Sequence, residues 1–180
     1  MKTPQYIFIH HTAVSWQKNP DQWKATDAYH KSKGWGGGGY NYEVSAKGWL
    51  HQFRADGAVT TAQYQRNMND GRALSICLDG FFDIEDPTPE QKATVRAWLM
   101  EKMDKYKIPK ENVFPHREVA LYKSCPGKRI PADVYSYFMG QTVSTATPIP
   151  ETPKNEPKEP TWLSKTVNII KKVAKPSGWF

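Results

Sequence analysis

Apolar positions in this chain follow two spacings. In "YIFIHH" they alternate, so a strand carries Tyr6, Phe8 and His10 on one face and Ile7, Ile9 and His11 on the other. The run "ALSICL" (73–78) is short and almost wholly apolar, as expected of a buried strand. "YNYEVSAKGWLHQF" reads as a hairpin turning at Ala46-Lys47-Gly48. Helical spacing takes over elsewhere. "NPDQWKATDAYHKSKGW" predicts a helix with Asn19 as N-cap, Pro20 in the first position and Gly34 beyond its end. "TPEQKATVRAWLMEKMDKYK" opens with a capping box, Thr88 to Gln91, around Pro89. Val95, Leu99, Met103 and Tyr106 then recur on one face, a core stripe. "IPADVYSYFM" predicts a last short helix. Together these elements predict an α/β domain, a central mixed sheet flanked by helices.

Composition divides the chain. Residues 1–140 of the 180 hold the patterned elements. Residues 141–161 carry Pro148, Pro150, Pro153, Pro157 and Pro160, and read as an extended linker. Residues 162–180 form a basic tail. On a helical wheel Trp162, Leu163, Val167, Ile169, Ile170, Val173 and Ala174 share one arc, opposite Lys165, Lys171, Lys172 and Lys175. Thr161 would cap this short amphipathic helix and Pro176 would stop it. No internal repeat is evident.

The net charge of +7 and a pI near 9.3 point to an anionic partner: nucleic acid, a membrane surface or an anionic wall polymer. Two cysteines, Cys77 and Cys125, make no disulfide framework and suit a reducing compartment or a metal site. The start "MKTPQYIFIH" shows no signal-peptide pattern, and no apolar run approaches the ~20 residues of a membrane span.

Chemistry concentrates in "IFIHHTA" and "FPHREVALYKSCPGKRIP". Imidazole and thiolate are good zinc ligands, and His10, His116 and Cys125 would make a His₂Cys set with a fourth position open. From the residues alone the alternative stays open: a core histidine, a surface histidine and a buried cysteine. The run Gly36–Gly39 lacks the Lys-Ser/Thr of a phosphate loop and reads as a flexible wall.

"IFIHHTA", "GWGGGGYNYEV" and "HREVALYKSCPGKRIP", in that order, resemble the zinc-dependent N-acetylmuramoyl-L-alanine amidases of type 2. That family includes phage lysozyme-amidases and the peptidoglycan recognition proteins. The resemblance spans about residues 5–140. It implies one Zn²⁺ per chain on His10, His116 and Cys125, with His11 facing away. It also implies catalytic roles for Tyr40, after the glycine run, and for Lys123, two residues before the cysteine. The bond implied is the amide between N-acetylmuramic acid and the L-alanine of the stem peptide. Several positions depart from the pattern. Cys77 stands where some relatives carry a glutamate, and reads as a core residue. "TTAQYQRNMNDG" lacks the histidine of a Gly-Ala-His stretch, so this groove wall should differ. The loop from His116 to Cys125 is one residue longer than the closest phage pattern. His30 reads as mainly structural and His51 as exposed.

The expected function is therefore that of an endolysin-like amidase causing wall lysis. The expected partner is bacterial peptidoglycan, with the tail on an anionic membrane or wall polymer. A monomer without nucleic acid is expected, held in the host cytoplasm until release to the wall. The alternatives are a non-catalytic peptidoglycan-binding module, or added regulatory binding to a host protein such as RNA polymerase.

Overall fold

A computed structural model describes residues 1–63 and 68–140. The linker (141–161) and tail (162–180) expected from composition lie outside the described residues, as does part of "TTAQYQRNMNDG". The α/β architecture is as expected: a five-stranded mixed sheet in the order β3-β2-β4-β1-β5. The strands are β1 (Tyr6–His11), β2 (Tyr42–Val44), β3 (Leu50–Gln52), β4 (Ala73–Leu78) and β5 (Val113–Pro115). Helices α1 (Trp23–Ser32), α2 (Pro89–Tyr106) and α3 (Val134–Met139) cover it. β1 pairs parallel with both β4 and β5, β2 pairs parallel with β4, and only β2–β3 is antiparallel. A central strand flanked by parallel neighbours is buried on both faces, which is why all of β4 and all but the first residue of β1 are buried.

The alternation read in β1 holds. Ile7 and Ile9 join the main core with Leu74, Ile76, Leu78, Val95 and Leu99, while Phe8 packs on Phe114 with ring centroids 5.7 Å apart. Helix α2 begins as expected: Thr88 Oγ1 accepts from the Gln91 amide at 3.1 Å, and Gln91 Oε1 accepts from the Thr88 amide at 3.1 Å. Its stripe buries Val95 and Leu99 fully and Met103 and Tyr106 partly. One charged residue joins that inward face. Lys102 is buried, with its Nζ 3.0 Å from Asp56 Oδ2, and Asp56 also accepts from Tyr42 and Tyr106. This polar knot ties the loop after β3 to α2.

The start of α1 differs from expectation. The helix begins at Trp23, and Asn19 Oδ1 instead accepts from the Asp21 amide, an Asx turn one step upstream. The capping is done by tertiary structure: Asp79 Oδ2, just past β4, accepts from the Gln22 amide at 2.7 Å. Thr26, in the first turn of α1, donates to Glu43 Oε1 of β2 at 3.2 Å. A distant carboxyl replaced the local cap, and no local pattern announces that substitution. Gly34 lies beyond the helix end with φ +77°, as expected.

Glu43 and Asp79 are both fully buried and act on one another, and Glu43 Oε2 and Asp79 Oδ1 have no other hydrogen-bond partner among the described residues, so the pair is held together by a shared proton. Burial is the largest cause in each case. It pushes Glu43 up to about 9, with Asp79 adding to the shift, and pushes Asp79 up to about 7. A carboxyl whose folded pKa is raised binds more protons in the folded than in the unfolded state. Stability is then full below the ordinary carboxylate range and falls as pH rises toward the folded value. The expected slope is about 1.4 kcal/mol per pH unit for one proton, across the window from about pH 5 to about pH 9. Glu43→Gln supplies the bond to Asp79 with an amide that does not titrate. It should flatten the pH dependence of the melting temperature and exceed the wild type at pH 9. Parallel pH profiles for the two proteins would refute the shared-proton account.

Candidate active site

Three chemistry-bearing residues meet at the carboxyl ends of β1 and β5. The parallel register places Ile9 beside Pro115, so each strand's next residue, His10 and His116, falls side by side with ring centroids 4.4 Å apart. Cys125 closes the group, its Sγ 3.8 Å from His10 Nδ1. One ligand atom from each of the three lies within 4.8 Å of the others, and all three residues are buried. His116 Nε2 is buried with no hydrogen-bond partner, an arrangement that a cation would satisfy. A soft thiolate with two imidazoles is a donor set that fits zinc. His11 faces away as expected: its Nδ1 accepts from the Phe82 amide at 3.3 Å and its ring lies against Phe81 and Phe82.

The loop that carries Cys125 is held from within by one guanidinium. Arg117 Nη1 donates to Gly127 O at 3.0 Å and Nη2 to Ile130 O at 2.8 Å, while its amide donates to Cys125 O at 2.7 Å. Asp83 secures the other side, accepting from Ser124 Oγ and the Lys128 amide, each at 2.8 Å. The Cys125–Pro126 bond is cis. Gly127, with φ +119°, packs so closely that a Cβ there would meet the Phe82 backbone at 2.5 Å.

Electrostatics keep the group neutral in the absence of a cation. Burial, then the neighbouring His116 charge, holds His10 well below the usual histidine range. Burial, then Lys123, lowers His116 to about 4. Burial pushes the Cys125 thiol up to about 12, opposed by the His11 amide, which donates to its sulfur, and by Lys123. The imidazoles are thus already in the ligating form, and a cation would have to displace the thiol proton.

A cleft of about 620 Å³ opens over this group, with Tyr40, His30, Trp35, Lys123 and Tyr122 among its lining. A second arm of about 440 Å³ runs along α1 and shares Thr12, Tyr29, His30 and Tyr40 with it. Tyr40 lies where expected, its ring 5.1 Å from that of His10. Burial raises its phenol well above the usual value, with the Cys77 and Cys125 sulfurs adding to it, so it remains a donor. Lys123 sits exposed at the rim, close enough to depress the charged forms of both histidines.

Other positions carry more than the sequence suggested. His30 is buried and holds the backbone before Tyr40: its Nδ1 accepts from the Gly39 amide at 3.0 Å, and its ring stacks on Trp35 at 4.7 Å. Cys77 is core, as expected, and also hydrogen-bonds Tyr40. His51 is half-buried rather than exposed, stacked on Trp23 and 3.1 Å from Asp21. The glycine run is no flexible wall, since a Cβ at Gly38 would overlap the Phe53 ring and one at Gly39 would press on Thr61 and Trp35. These glycines let the protein pack on itself. Sequence reasoning missed Arg117 and Gln63. Arg117 sits inside a quoted motif, but its carbonyl partners are visible only in three dimensions. Gln63 lies 3.0 Å from His10 Nε2 in the very stretch noted for lacking a histidine.

Comparison with known proteins agrees with this geometry. The family described as N-acetylmuramoyl-L-alanine amidase matches residues 1–128. Among curated proteins no match is found. Among solved structures, the amidase LysC from Clostridium intestinale URNW is 29% identical with a TM-score of 0.64, covering 77% of this chain and 84% of that one. Drosophila PGRP-LB is 20% identical with a TM-score of 0.65, covering 82% and 88%. The Ph2119 endolysin of a Thermus scotoductus MAT2119 phage is 21% identical with a TM-score of 0.63, covering 78% and 88%. These last two show the shared fold. With the family match spanning well over half the sequence, the chain belongs to the N-acetylmuramoyl-L-alanine amidase family.

Proposed function

We propose that this protein is a zinc-dependent peptidoglycan amidase of the endolysin kind, cleaving the amide between N-acetylmuramic acid and L-alanine. The observation that carries the reading is the buried His10–His116–Cys125 group at the base of an open cleft. His10, His116 and Cys125 would hold the ion. When bound, zinc supplies Lewis acidity toward a carbonyl oxygen and makes water a better nucleophile near neutral pH.

The chain's own residues supply the rest. The two arms of the cleft meet at Tyr40 and His30, so a substrate with a glycan branch and a peptide branch can lie with its junction over the buried group. As the amide carbon becomes tetrahedral its oxygen gains negative charge. The Lys123 ammonium, reaching in from the rim, offsets that charge. The Tyr40 hydroxyl, kept protonated by burial, donates a hydrogen bond to it or orients water. His30, by fixing the Gly39 amide, sets the backbone from which Tyr40 projects. A peptidoglycan-binding module without catalysis is the second reading; retention of the thiol ligand together with Tyr40 favours the enzyme. The tail is proposed to hold the enzyme near an anionic envelope surface, raising its local concentration through the linker.

Mass spectrometry of digested peptidoglycan tests the reaction. The expected products are intact glycan strands and free stem peptides beginning with L-alanine. New reducing ends would mean a glycosidase, and cuts within the stem a peptidase. Cys125→Ser should abolish activity and weaken zinc binding, because a hydroxyl is a far poorer ligand than thiolate. Full turnover with one zinc per chain in that variant would overturn the site. Tyr40→Phe and Lys123→Ala should each keep zinc and lose turnover, by about 10²–10³ for a lost oxyanion donor. Wild-type rates in both would remove them from the mechanism. Truncation after Gly140 should spare activity on soluble muropeptides and reduce binding to anionic vesicles, with full-length binding weakening as salt rises. Equal vesicle binding by the two forms would count against a targeting tail.

A further inference from the structure

Gln63 is fully buried, and its carboxamide reaches the ring of His10 on the side away from Cys125. Which end of that carboxamide faces the ring depends on whether His10 Nε2 carries a proton. The Gln63 backbone amide donates to Asn69 Oδ1 at 2.7 Å, so that atom is an acceptor. In the structure Gln63 Nε2 lies 3.0 Å from His10 Nε2, Gln63 Oε1 accepts from Thr60 Oγ1 at 2.8 Å, and the same hydroxyl lies 3.2 Å from Asn69 Oδ1. A hydroxyl has one proton to give. If it goes to Asn69 Oδ1, the carboxamide must present its NH₂ to Thr60, and its oxygen then faces His10. Because Asn69 Oδ1 already accepts from the Gln63 amide, the hydroxyl can serve either orientation: it can give its proton to Gln63 Oε1, or accept from Nε2 and give its proton to Asn69 Oδ1. Oxygen and nitrogen of a carboxamide exchange by a half-turn, and a cation on His10 Nδ1, which leaves Nε2 as an N–H donor, selects the orientation with Gln63 Oε1 toward the ring.

We infer that Gln63 is the positioning residue of the site: with a metal bound, its carboxamide turns so that Oε1 accepts a hydrogen bond from His10 Nε2–H, which fixes Nδ1, the atom facing Cys125, as the ligating atom. The inference rests on the reading of these three residues as metal ligands. A metal-bound imidazole commonly gives its other N–H to an acceptor that sets tautomer and ring orientation. In this chain the acceptor is a neutral carboxamide, held in place by the Thr60 hydroxyl and by the Gln63 amide on Asn69 Oδ1. The three residues behind His10, Gln63, Thr60 and Asn69, all lie in the segment between β3 and β4, outside the elements that carry the three ligands.

The test uses the full chain with Gln63→Leu, which removes the acceptor at similar volume, and Gln63→Glu, which can only accept. Zinc affinity is read by chelator competition, and the ligand field by Co²⁺ absorption. Gln63→Leu should weaken zinc about 10–100-fold and alter the Co²⁺ bands. Gln63→Glu should bind zinc as tightly as wild type or more so. Two-bond ¹⁵N–¹H spectra of zinc-loaded wild type should place the His10 proton on Nε2. Were Gln63→Leu unstable without metal, the Glu variant and the wild-type spectrum would still decide. Unchanged affinity in Gln63→Leu, a weakened Gln63→Glu, or a proton on Nδ1 would each overturn the role of Gln63 alone. A wild type that binds no zinc would overturn the metal site and this inference with it.

Discussion

The site depends on one register: β1 against β5. Parallel pairing of Ile9 with Pro115 makes the residues that follow, His10 and His116, neighbours despite their distance in the chain. Parallel strands require a crossover, and much of the domain, α2 above all, is spent on covering the sheet between those two ends. A one-residue slip would turn His10 toward Phe82 and put His11 in the cleft. The completely buried Ile7 and Ile9 make such a slip expensive, because both would have to exchange faces.

Around that register the polar groups are arranged to be stiff. Arg117 gathers carbonyls of the cysteine loop, Asp83 holds its flank, and Gln63 braces the back of His10. Few of these groups face water, so the positions of the three donors are set before any ligand arrives. Such preorganisation lowers the reorganisation needed on binding and during reaction.

The sequence was most legible where local physics and tertiary structure agree. The alternation of β1, the buried run of β4 and the capping box of α2 each follow from spacing, and each is present. The pairing of His10 with His116 and Cys125 came instead from motif resemblance, since residues so distant in the chain leave no periodic trace. Failures cluster where a side chain's partner comes from another element. Asp79 capped α1 in place of Asn19, and Asp21 with Trp23 drew His51 out of solvent. Gln63 stands on a stretch with no periodic pattern, where only a hydrogen-bond network could give it meaning.

The two borders of the sheet have a consequence for the protein in crowded solution. Both outer strands, β3 and β5, are only three residues long. Pro115 brings no N–H to the β5 border, and α3 packs against that strand. At β3 the exposed Trp49 is overlaid by the Lys47 ammonium, 4.9 Å from its ring. A second copy seeking to extend the sheet would gain very few backbone hydrogen bonds and would meet a fixed positive charge on one side. Short, charged or proline-bearing borders are the usual protection against edge-to-edge aggregation. Here they leave the described sheet, buried at its centre, with little open edge on which another copy could add a strand.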